Sequence, residues 1–505
     1  MFTKMTPIRF LFDFLEVRVL LLGVTVFLLL FWLLHDRKPR KLPPGPKGWP
    51  VLGYIPNMAL LAMSGQLPHE ALANLGRKYG NVFSMNLCGQ LVIVLNDYDS
   101  IKEAFSNEDL LDRPKSELFE KGFKGEGVAF ASGEPWKQQR KFCLNVFRNF
   151  GVGKKSFENF ILKETNELLG EISLMKGKPF DPRLPVSNAF SNIICSLVFG
   201  RRYEYSDPHF RMLLDMLDEC FRLAGAGGIF SMLPAAKYVF FPIQWQILDN
   251  IKNFTDFIGD IIKEHQQNLD PNHLNDFLDA YLNEVRLNKQ NGVQTEVNES
   301  NVMFTVVNLF VAGTETSTST LRWTLLYLVA NPYVQRRVQE ELDEVVGRDR
   351  LPRYSDRPNL PYTEATLSEA TRMASATPFG LPHAASRSTT LKGFNVPQGS
   401  ILIPNMWAVH NDPKVWPKPS DFRSERFLDD EGRYVRQESL IPFGIGRRFC
   451  LGESLAKMEL FLFFTHLLHR FHFTLPDNAP PLSFEPIMGG TNNPHPFKIR
   501  AIERH

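Results

Sequence analysis

Cys450 lies in a segment whose residue types leave little freedom for its surroundings, FGIGRRFCLG from residue 443 to 452. Gly444 and Gly446 carry no side chains, so backbone N–H groups can come close to the sulfur. An apolar helical pattern begins at Leu455 and places the cysteine just ahead of a helix N-terminus, where a thiolate is stabilised. The segment predicts a sulfur that binds a metal centre. A buried structural cysteine after a loop is the alternative.

The spacing Phe443-x-x-Gly446-x-Arg448-x-Cys450-x-Gly452 resembles the haem-binding loop of the cytochrome P450 monooxygenases. In that family the cysteine is the axial ligand of the haem iron, and a thiolate ligand favours O–O cleavage. The resemblance extends from Pro43 to the end of the chain and implies a mainly α-helical cytochrome P450 fold with a small β component. It also implies haem as the cofactor, O2 as co-substrate and electrons that originate from NADPH.

Composition supports one large enzyme domain and excludes several other classes. The 505 residues are 44% hydrophobic and include 42 phenylalanines, which is enough for a large apolar core. A net charge of +2 argues against a nucleic-acid-binding domain. The five cysteines are odd in number and widely spaced, without a C-x-x-C pair, so neither a zinc site nor a disulfide framework is expected.

The N-terminal part contains a sixteen-residue run without charge, Val19 to Leu34. A bilayer core takes about 20 residues, and apolar residues from Phe10 to Leu15 can extend the run. A cleaved signal peptide is the alternative, but basic residues rather than small ones follow the run. We therefore predict a transmembrane anchor helix in residues 1–36, a basic, proline-rich hinge in 37–50 and the haem-thiolate catalytic domain in 51–505.

Charge around the anchor predicts its orientation. The basic cluster that follows it outweighs the cations that precede it, which puts the catalytic domain on the cytoplasmic side by the positive-inside rule. The Pro43-Pro44-Gly45-Pro46 segment resembles the proline-rich segment of microsomal members of the family. We therefore expect a protein of the endoplasmic reticulum membrane with a single anchor, in contact with membrane lipid.

The remaining secondary structure is read from periodicity and turn residues. Residues Val82–Leu87 and Leu91–Asn96 are rich in β-branched and apolar types and predict strands. A long apolar helix is expected from about Val302 to Ala330, and a loop at Ala224–Gly228. Beyond Pro378 the chain is expected to become rich in strands and loops until the cysteine helix.

Trp136 and Arg140 are four residues apart in a predicted helix, so both donors lie on one face and can hold an anion. A solvated basic face is the alternative, because lysines flank both residues. In the family that the chain resembles, the matching tryptophan and arginine bind a haem propionate. The resemblance adds Arg113, His383 and Arg448 to the same propionate set.

The segment Ala312-Gly313-Thr314-Glu315-Thr316 falls in the middle of the long apolar helix. Ala312 and Gly313 are expected to leave room beside the helix for a flat cofactor or a bound gas molecule. Thr316 and Glu315 can form a proton relay into an apolar pocket. A polar stretch packed in the core is the alternative. The pattern resembles the oxygen-activating motif of the family, so these two residues are the predicted catalytic pair.

Glu369 and Arg372 are one helical turn apart, and Arg426 follows in the sequence Ser424-Glu425-Arg426-Phe427. As a bare pattern, such a pair only stabilises a helix. In the family the corresponding glutamate and two arginines form a buried salt-bridge network behind the cysteine loop. Ser424 stands where many members have proline. The three charged residues are predicted to be structural rather than catalytic.

Electrons must come from a partner, because the chain has no nucleotide-binding fingerprint in a strand–helix context. By resemblance the partner is an NADPH-dependent flavoprotein reductase, with cytochrome b5 as a second candidate. The docking face is expected on the cysteine side, where Lys137, Lys141, Arg447 and Lys457 present positive charge.

The substrate is expected to be lipophilic: a steroid, sterol, fatty acid or xenobiotic. The contact regions of the family place Phe123, Asn308, Ala312, Phe379 and Leu381 in the substrate pocket. Two other functions stay open at this point. One is a haem-thiolate isomerase or dehydratase that needs no external electrons. The other is a haem-binding or sterol-binding protein without catalysis.

Overall fold

A computed structural model describes residues 18–19, 21–27, 41–115, 117–227 and 241–504, and these are mainly helical with several small sheets. The predicted fold class, mainly α with a small β component, is therefore confirmed. The helices that the structure describes after residue 41 are α1 Ile55–Met63, α2 Pro68–Tyr79, α3 Tyr98–Ser106, α4 Glu117–Phe123, α5 Gly127–Phe130, α6 Gly133–Asn149, α7 Lys155–Leu174, α8 Arg183–Phe199, α9 Pro208–Gly227, α10 Phe241–Asn268, α11 Phe277–Gln290, α12 Glu299–Ala330, α13 Pro332–Val345, α14 Pro361–Ala374, α15 Met406–His410 and α16 Glu453–Arg470.

The strands are short. They are β1 Val82–Leu87, β2 Gln90–Leu95, β3 His383–Ala384, β4 Thr389–Leu391, β5 Phe394–Val396, β6 Ile401–Pro404, β7 Phe471–Thr474, β8 Pro486–Met488, β9 Asn492–Pro494 and β10 Arg500–Glu503. The main sheet has the order β1-β2-β6-β3, with β2 parallel to β6 and the other neighbours antiparallel. The strand predicted at Val82–Leu87 is confirmed with its bounds, and the one predicted at Leu91–Asn96 is confirmed one residue earlier. The parallel pair brings residues about three hundred positions apart into one sheet.

Helix α12 has 32 residues and lies in the core. Its N-terminus is fixed by Asn298, whose side chain accepts hydrogen bonds from the N–H groups of Ser300 and Asn301. Along residues 301–330, all of which the structure describes, Ala312 is the one exposed position. A helix that is apolar around its circumference must be buried on nearly all sides. The gap at Ala312 therefore marks the place where the packing of the core opens.

Helix α16 begins directly after Cys450, with Gly452 as its N-cap. Its buried residues surround the helix axis, so α16 is as deeply packed as α12. The predicted helix after the cysteine is thus confirmed. Because α16 is held on all sides, the loop that carries Cys450 has one rigid end.

A buried charge network joins α14 to the segment before the cysteine loop. Arg372 donates from Nε and Nη2 to the two carboxylate oxygens of Glu369 at 2.7 and 2.9 Å. Arg426 adds a hydrogen bond of 3.1 Å from Nε to the same carboxylate. The remaining N–H groups of Arg372 donate to the carbonyl oxygens of His410 and Pro419. The two guanidinium groups share one carboxylate, and backbone carbonyl groups accept the N–H groups that remain, so the buried ions are both paired and hydrogen-bonded.

Ser424, at the position where many members of the family have proline, is fully buried. Its hydroxyl is 2.9 Å from the hydroxyl of Thr366 on α14. A side-chain hydrogen bond between two buried groups therefore ties this turn to α14 without the fixed backbone angle that proline would bring.

Two expectations about the N-terminal half meet the structure differently. Residues 224–227 continue α9, so the predicted loop at Ala224–Gly228 is wrong there, and residue 228 lies outside the described residues. Residues 21–27 are helical and exposed, but residues 1–17, 20 and 28–36 of the predicted anchor lie outside the described residues. Within the part of the chain that the structure describes, no helix has both the length and the hydropathy needed to cross a membrane.

The buried network predicts a large effect from one carboxylate. Replacing Glu369 with alanine leaves Arg372 and Arg426 buried without a counter-charge, which costs about 3–5 kcal/mol of unfolding free energy. Urea unfolding followed by circular dichroism measures the loss. The matched control is Glu425→Ala, which breaks a pair with Arg337 whose side chains are 50% and 35% exposed. We expect less than about 1 kcal/mol for this pair, and equal losses in the two variants would contradict the assignment.

Candidate active site

The loop before Cys450 is closed by a hydrogen bond from the backbone N–H of Cys450 to the carbonyl of Phe443, at 2.8 Å. Gly444 and Gly446 have φ of +70° and +76°, which L side chains rarely adopt. At Gly446 a Cβ would lie 2.3 Å from the carbonyl oxygen of Phe105, at the end of α3. The loop therefore requires glycine at 446 both for its backbone angle and for the close approach of α3.

The side chain of Cys450 has accessible surface, yet the surrounding protein desolvates it. Burial is the largest effect and raises the pKa of the thiol, while the N–H of Gly452 and the charge of Arg140 lower it. The two observations agree for a group at the wall of an internal space, which is accessible without being hydrated like a surface residue. A bound metal cation would reverse the balance, because a coordinating thiol is deprotonated.

Arg448 is held in the wall next to the thiol. Its Nε donates to the carbonyl of Leu111 at 2.9 Å and its Nη2 to that of Ala131 at 2.8 Å. The guanidinium carbon lies 3.9 Å from the centre of the Trp136 ring, so the predicted tryptophan supports the arginine through a cation–π contact.

Arg113 approaches the same place from the segment after α3. Its Nε donates to the carbonyl of Ala129 at 3.0 Å, and its Nη1 to those of Leu381 and Pro382 at 2.9 Å each. These contacts fix the orientation of the guanidinium but give it no negative partner. Among the described residues no carboxylate forms an ion pair with it.

The three arginines are close enough to repel one another. Burial, and then Arg140, lowers the pKa of Arg113 to about 10. Burial, and then Arg113, lowers the pKa of Arg448 to about 8, although the carboxylate of Asp112 acts in the opposite direction. Burial also lowers the pKa of Arg140. Charges that depress each other in this way favour the binding of an anion among them.

Two of these guanidinium groups have an orphaned nitrogen. Nη2 of Arg140 and Nη1 of Arg448 are buried and have no hydrogen-bond partner among the described residues. Buried donors are normally satisfied, so each of these indicates a missing acceptor. A ligand with carboxylates beside a metal that takes a thiolate would satisfy both arginines and Cys450. The residues present therefore fit a haem with its propionates.

His383 lies beside the arginine cluster, stacked on Phe105 with ring centres 3.8 Å apart. Its Nδ1 is 3.0 Å from the carbonyl of Leu110, so Nδ1 carries the proton. Burial and the neighbouring arginines hold the pKa of His383 well below its usual range. Neutral His383 therefore offers only a lone pair at Nε2, and it would donate to a carboxylate there only after that anion had raised its pKa.

On α12 the hydroxyl of Thr316 donates to the carbonyl of Ala312 at 2.7 Å. Both residues border the gap in the packing of this helix. Gly313 does not: a Cβ there would lie 2.4 Å from Cδ1 of Ile194 on α8. The expectation that Gly313 opens space for a ligand is therefore wrong, because its missing side chain accommodates the neighbouring helix instead.

Glu315 is 6% exposed and faces the C-terminal hairpin. Its Oε1 accepts hydrogen bonds from Nδ2 of Asn493 at 2.7 Å and from the hydroxyl of Thr491 at 3.3 Å. Burial, as the largest cause, raises the pKa of this carboxyl. No pattern in the sequence points to these partners, because they follow Glu315 by more than 170 residues and lie in or beside the short strand β9.

Two of the predicted substrate-pocket residues come together. Phe123 stacks on Phe130 at 4.5 Å between ring centres and meets Phe304 edge-on at 6.3 Å. Asn308 lies on the same helix as Phe304, and its Oδ1 accepts the N–H of Ala129 at 2.9 Å. Helices α4, α5 and α12 therefore share one aromatic surface.

Two further pocket residues lie between α14 and β3. Phe379 packs against the cluster under the main sheet, with its ring 6.2 Å from that of His69. Leu381 has a side chain that is 41% exposed, and its carbonyl is one of the acceptors for Arg113. Among these two, Leu381 is the one that adjoins the arginine cluster.

The four cations expected on the docking face are not equivalent. Arg447 forms an ion pair with Glu108, and Lys457 forms one with Glu453 at 2.6 Å. The other two lie on the exposed side of α6 and form no ion pair among the residues that the structure describes; they are Lys137 and Lys141.

A mainly helical fold in which a cysteine ahead of a helix N-terminus lies near buried guanidinium groups with unsatisfied nitrogens is characteristic of haem-thiolate proteins. The family model described as cytochrome P450 matches residues 43–501 of this chain. The chain therefore belongs to the cytochrome P450 family.

Curated relatives cover nearly the whole chain. It is 40% identical to cytochrome P450 2U1 of Rattus norvegicus over 508 residues, which cover 96% of this chain and 95% of that protein. Cytochrome P450 2J3 of Rattus norvegicus is 38% identical over 97% of both proteins. Cytochrome P450 18a1 of Drosophila melanogaster is 38% identical, over 93% of this chain and 89% of that protein. The chain is thus a cytochrome P450 monooxygenase that uses haem with a thiolate-ligated iron, O2 and electrons from a reductase.

The orphaned nitrogen of Arg140 predicts a specific loss. In Arg140→Leu the haem should dissociate about tenfold faster, because a hydrogen bond between charged groups is removed. Haem transfer to an excess of apomyoglobin, followed by absorbance, measures the rate. Arg148→Leu makes the same change at an exposed position of α6 and should leave the rate unchanged. Equal rates in both variants would rule out a role for Arg140 in holding the cofactor.

Proposed function

We propose that Cys450 supplies the thiolate and that the neighbouring cations and Trp136 hold the haem propionates. The proposal rests on one observation, the two buried guanidinium nitrogens without an acceptor beside this thiol. The proposed set is Arg113, Trp136, Arg140, His383 and Arg448. His383 is neutral before the haem binds, and it would donate to a propionate only after the bound carboxylates had raised its pKa.

When bound, the haem supplies oxygen binding and O–O cleavage, which a thiolate ligand favours. We propose that Thr316 and Glu315 carry the protons that this chemistry consumes. The hydroxyl proton of Thr316 is engaged by the carbonyl of Ala312, so its oxygen lone pairs stay available to an incoming donor. The raised pKa of Glu315 keeps its acidic form populated closer to neutral pH, as a general acid requires.

The substrate in this proposal is lipophilic: a steroid, sterol, fatty acid or xenobiotic. Support comes from the aromatic surface that Phe123 and Phe304 form beside the gap-bearing helix α12. Aromatic walls with few polar groups suit ligands that bind mainly by burial of apolar area. Asn308 keeps its Oδ1 on a backbone N–H, which leaves its amide N–H groups as the polar contact. Ala312, Phe379 and Leu381 complete the proposed pocket.

We propose that the protein is attached to the endoplasmic reticulum membrane through residues 1–36, with the catalytic domain in the cytoplasm. The helical residues 21–27 support this, because Leu21, Leu22 and Phe27 are 59%, 65% and 64% exposed. Apolar side chains exposed in a continuous segment indicate contact with lipid or protein. An NADPH-dependent flavoprotein reductase, with cytochrome b5 as a second partner, would then reach the domain from the same membrane.

The carbon monoxide spectrum tests the ligand. The reduced, carbon monoxide-bound protein should show the strongly red-shifted Soret band of thiolate-ligated haem. In Cys450→Ala this band should be absent, whereas Cys143→Ala should keep it, because Cys143 is fully buried among apolar core residues. A histidine-like band in the unchanged protein would refute thiolate ligation by Cys450.

Charge reversal tests the docking surface. In the double variant Lys137→Glu, Lys141→Glu, reductase-supported NADPH consumption should fall about tenfold at low salt and recover partly at high salt, since rim charges act mainly on association. Oxidation of a phenolic dye with hydrogen peroxide needs no reductase and should be unchanged. Lys163→Glu, at an exposed position of α7, is the control. A parallel loss of both activities would contradict docking on α6.

Activity without NADPH or peroxide would favour an isomerase.

A further inference from the structure

The amide of Asn493 in β9 connects two charged residues of α12. Its Nδ2 donates to Oε1 of Glu315 at 2.7 Å, and its Oδ1 lies 3.3 Å from Nη1 of Arg322. Arginine can only donate, so the oxygen of the amide must face Arg322 and its nitrogen must face Glu315. The orientation of the amide is therefore fixed by chemistry on both sides.

The strand that carries Asn493 is itself fixed on α12. The carbonyl oxygen of the preceding residue, Asn492, accepts the hydroxyl of Ser319 at 2.6 Å and the indole N–H of Trp323 at 2.9 Å. Asn493 is also paired with Ile487 in the β8–β9 hairpin. Side chains of α12 thus hold the backbone of β9, and this places the amide of Asn493 against Glu315 of the same helix.

Both hydrogen bonds that Glu315 accepts from described residues go to the same oxygen. Thr491 and Asn493 donate to Oε1, and Nδ2 of Asn493 also donates to the hydroxyl of Thr491 at 3.0 Å. Oε2 remains as the atom that can bind and release a proton. An acid whose other oxygen is fixed presents that proton in one direction, which general acid catalysis requires.

The charges around Glu315 come from three helices. Asp218 on α9 raises the pKa of Glu315, whereas Arg183 on α8 and Arg322 on α12 lower it. The hydrogen bond from Asn493 also lowers the pKa, against the larger effect of burial. Loss of this donor would therefore raise the pKa of Glu315.

We propose that Asn493 is a positioning residue for the Glu315 carboxyl, in which it fixes Oε1 and leaves Oε2 to bind and release a proton. This inference rests on the proposed role of Glu315 as a proton donor. Arg322 donates to Oδ1 of Asn493 and so disfavours the rotation that would exchange the oxygen and the nitrogen of the amide.

The test compares Asn493→Asp with the unchanged holoenzyme, reconstituted with an NADPH-dependent flavoprotein reductase. Aspartate keeps an acceptor for Arg322 but removes the donor to Glu315. NADPH consumption should fall about tenfold at neutral pH, as for loss of one hydrogen bond to a charged group. If protonated Glu315 is the donor, the rate declines as pH rises through its pKa, and this decline should move to higher pH in the variant.

A double-mutant cycle separates this role from a structural one. In a Glu315→Gln background, Asn493→Asp should change neither the rate nor its pH profile further, because it acts through Glu315. Asn493→Ala, which adds no charge, should shift the decline in the same direction by a smaller amount. Asn291→Asp makes the same chemical change in the exposed turn after α11 and should behave like the unchanged protein. The carbon monoxide spectrum confirms that each variant holds haem.

The outcomes distinguish the two proposals. If Glu315→Gln lowers the rate but Asn493→Asp leaves both rate and pH profile unchanged, the positioning role is wrong and the role of Glu315 stands. If Glu315→Gln has no effect, the proton donor is wrong and the inference falls with it. Additive losses in the double variant would also overturn the inference, since Asn493 would then act independently of Glu315.

Discussion

Positive charge buried without a matching anion is the condition on which the centre of this protein depends. Arg113, Arg140 and Arg448 lie close enough that, after burial, the neighbouring arginines lower the pKa of Arg113 and of Arg448, and Arg140 and Arg448 each keep an unsatisfied nitrogen. A chain tolerates such an arrangement only when something else supplies the acceptors. The surrounding carbonyl groups fix where each guanidinium points, so the protein is shaped for an anion before the anion arrives.

Helix α12 is buried or half-buried at every position from 301 to 330 except one. Its faces are packed against neighbouring elements along the described core, and Ala312 is the one exposed residue between 301 and 330. Gly313, the adjacent residue, is occupied by Ile194. Of two adjacent residues, Ala312 is therefore exposed and Gly313 is in contact with the neighbouring helix α8. The polar groups that follow, Thr316 and Glu315, point into different surroundings although they are neighbours in the chain.

Local signals predicted local structure well. The strand Val82–Leu87 was predicted with its observed bounds, and the long helix began only three residues earlier than expected, at Glu299. The prediction of a loop at Ala224–Gly228 was wrong for residues 224–227, because these small residues continue α9. Partners distant in sequence could not be predicted from pattern at all: Asn493 meets Glu315 across 178 residues, and Glu108 pairs with Arg447 across 339. Helical spacing indicated an anion site at Trp136 and Arg140, but only the family resemblance joined Arg113 and Arg448 to it, because they come from separate segments.

The contact of Gly446 with the end of α3 also makes the cysteine loop sensitive to mechanical displacement. With a Cβ position only 2.3 Å from the carbonyl of Phe105, the loop and α3 have no clearance to move past each other. Glu108, just beyond α3, forms a surface ion pair with Arg447 of the same loop. A force applied at Arg447 would therefore move the loop and α3 together, and the position of the Cys450 sulfur would follow any displacement of α3.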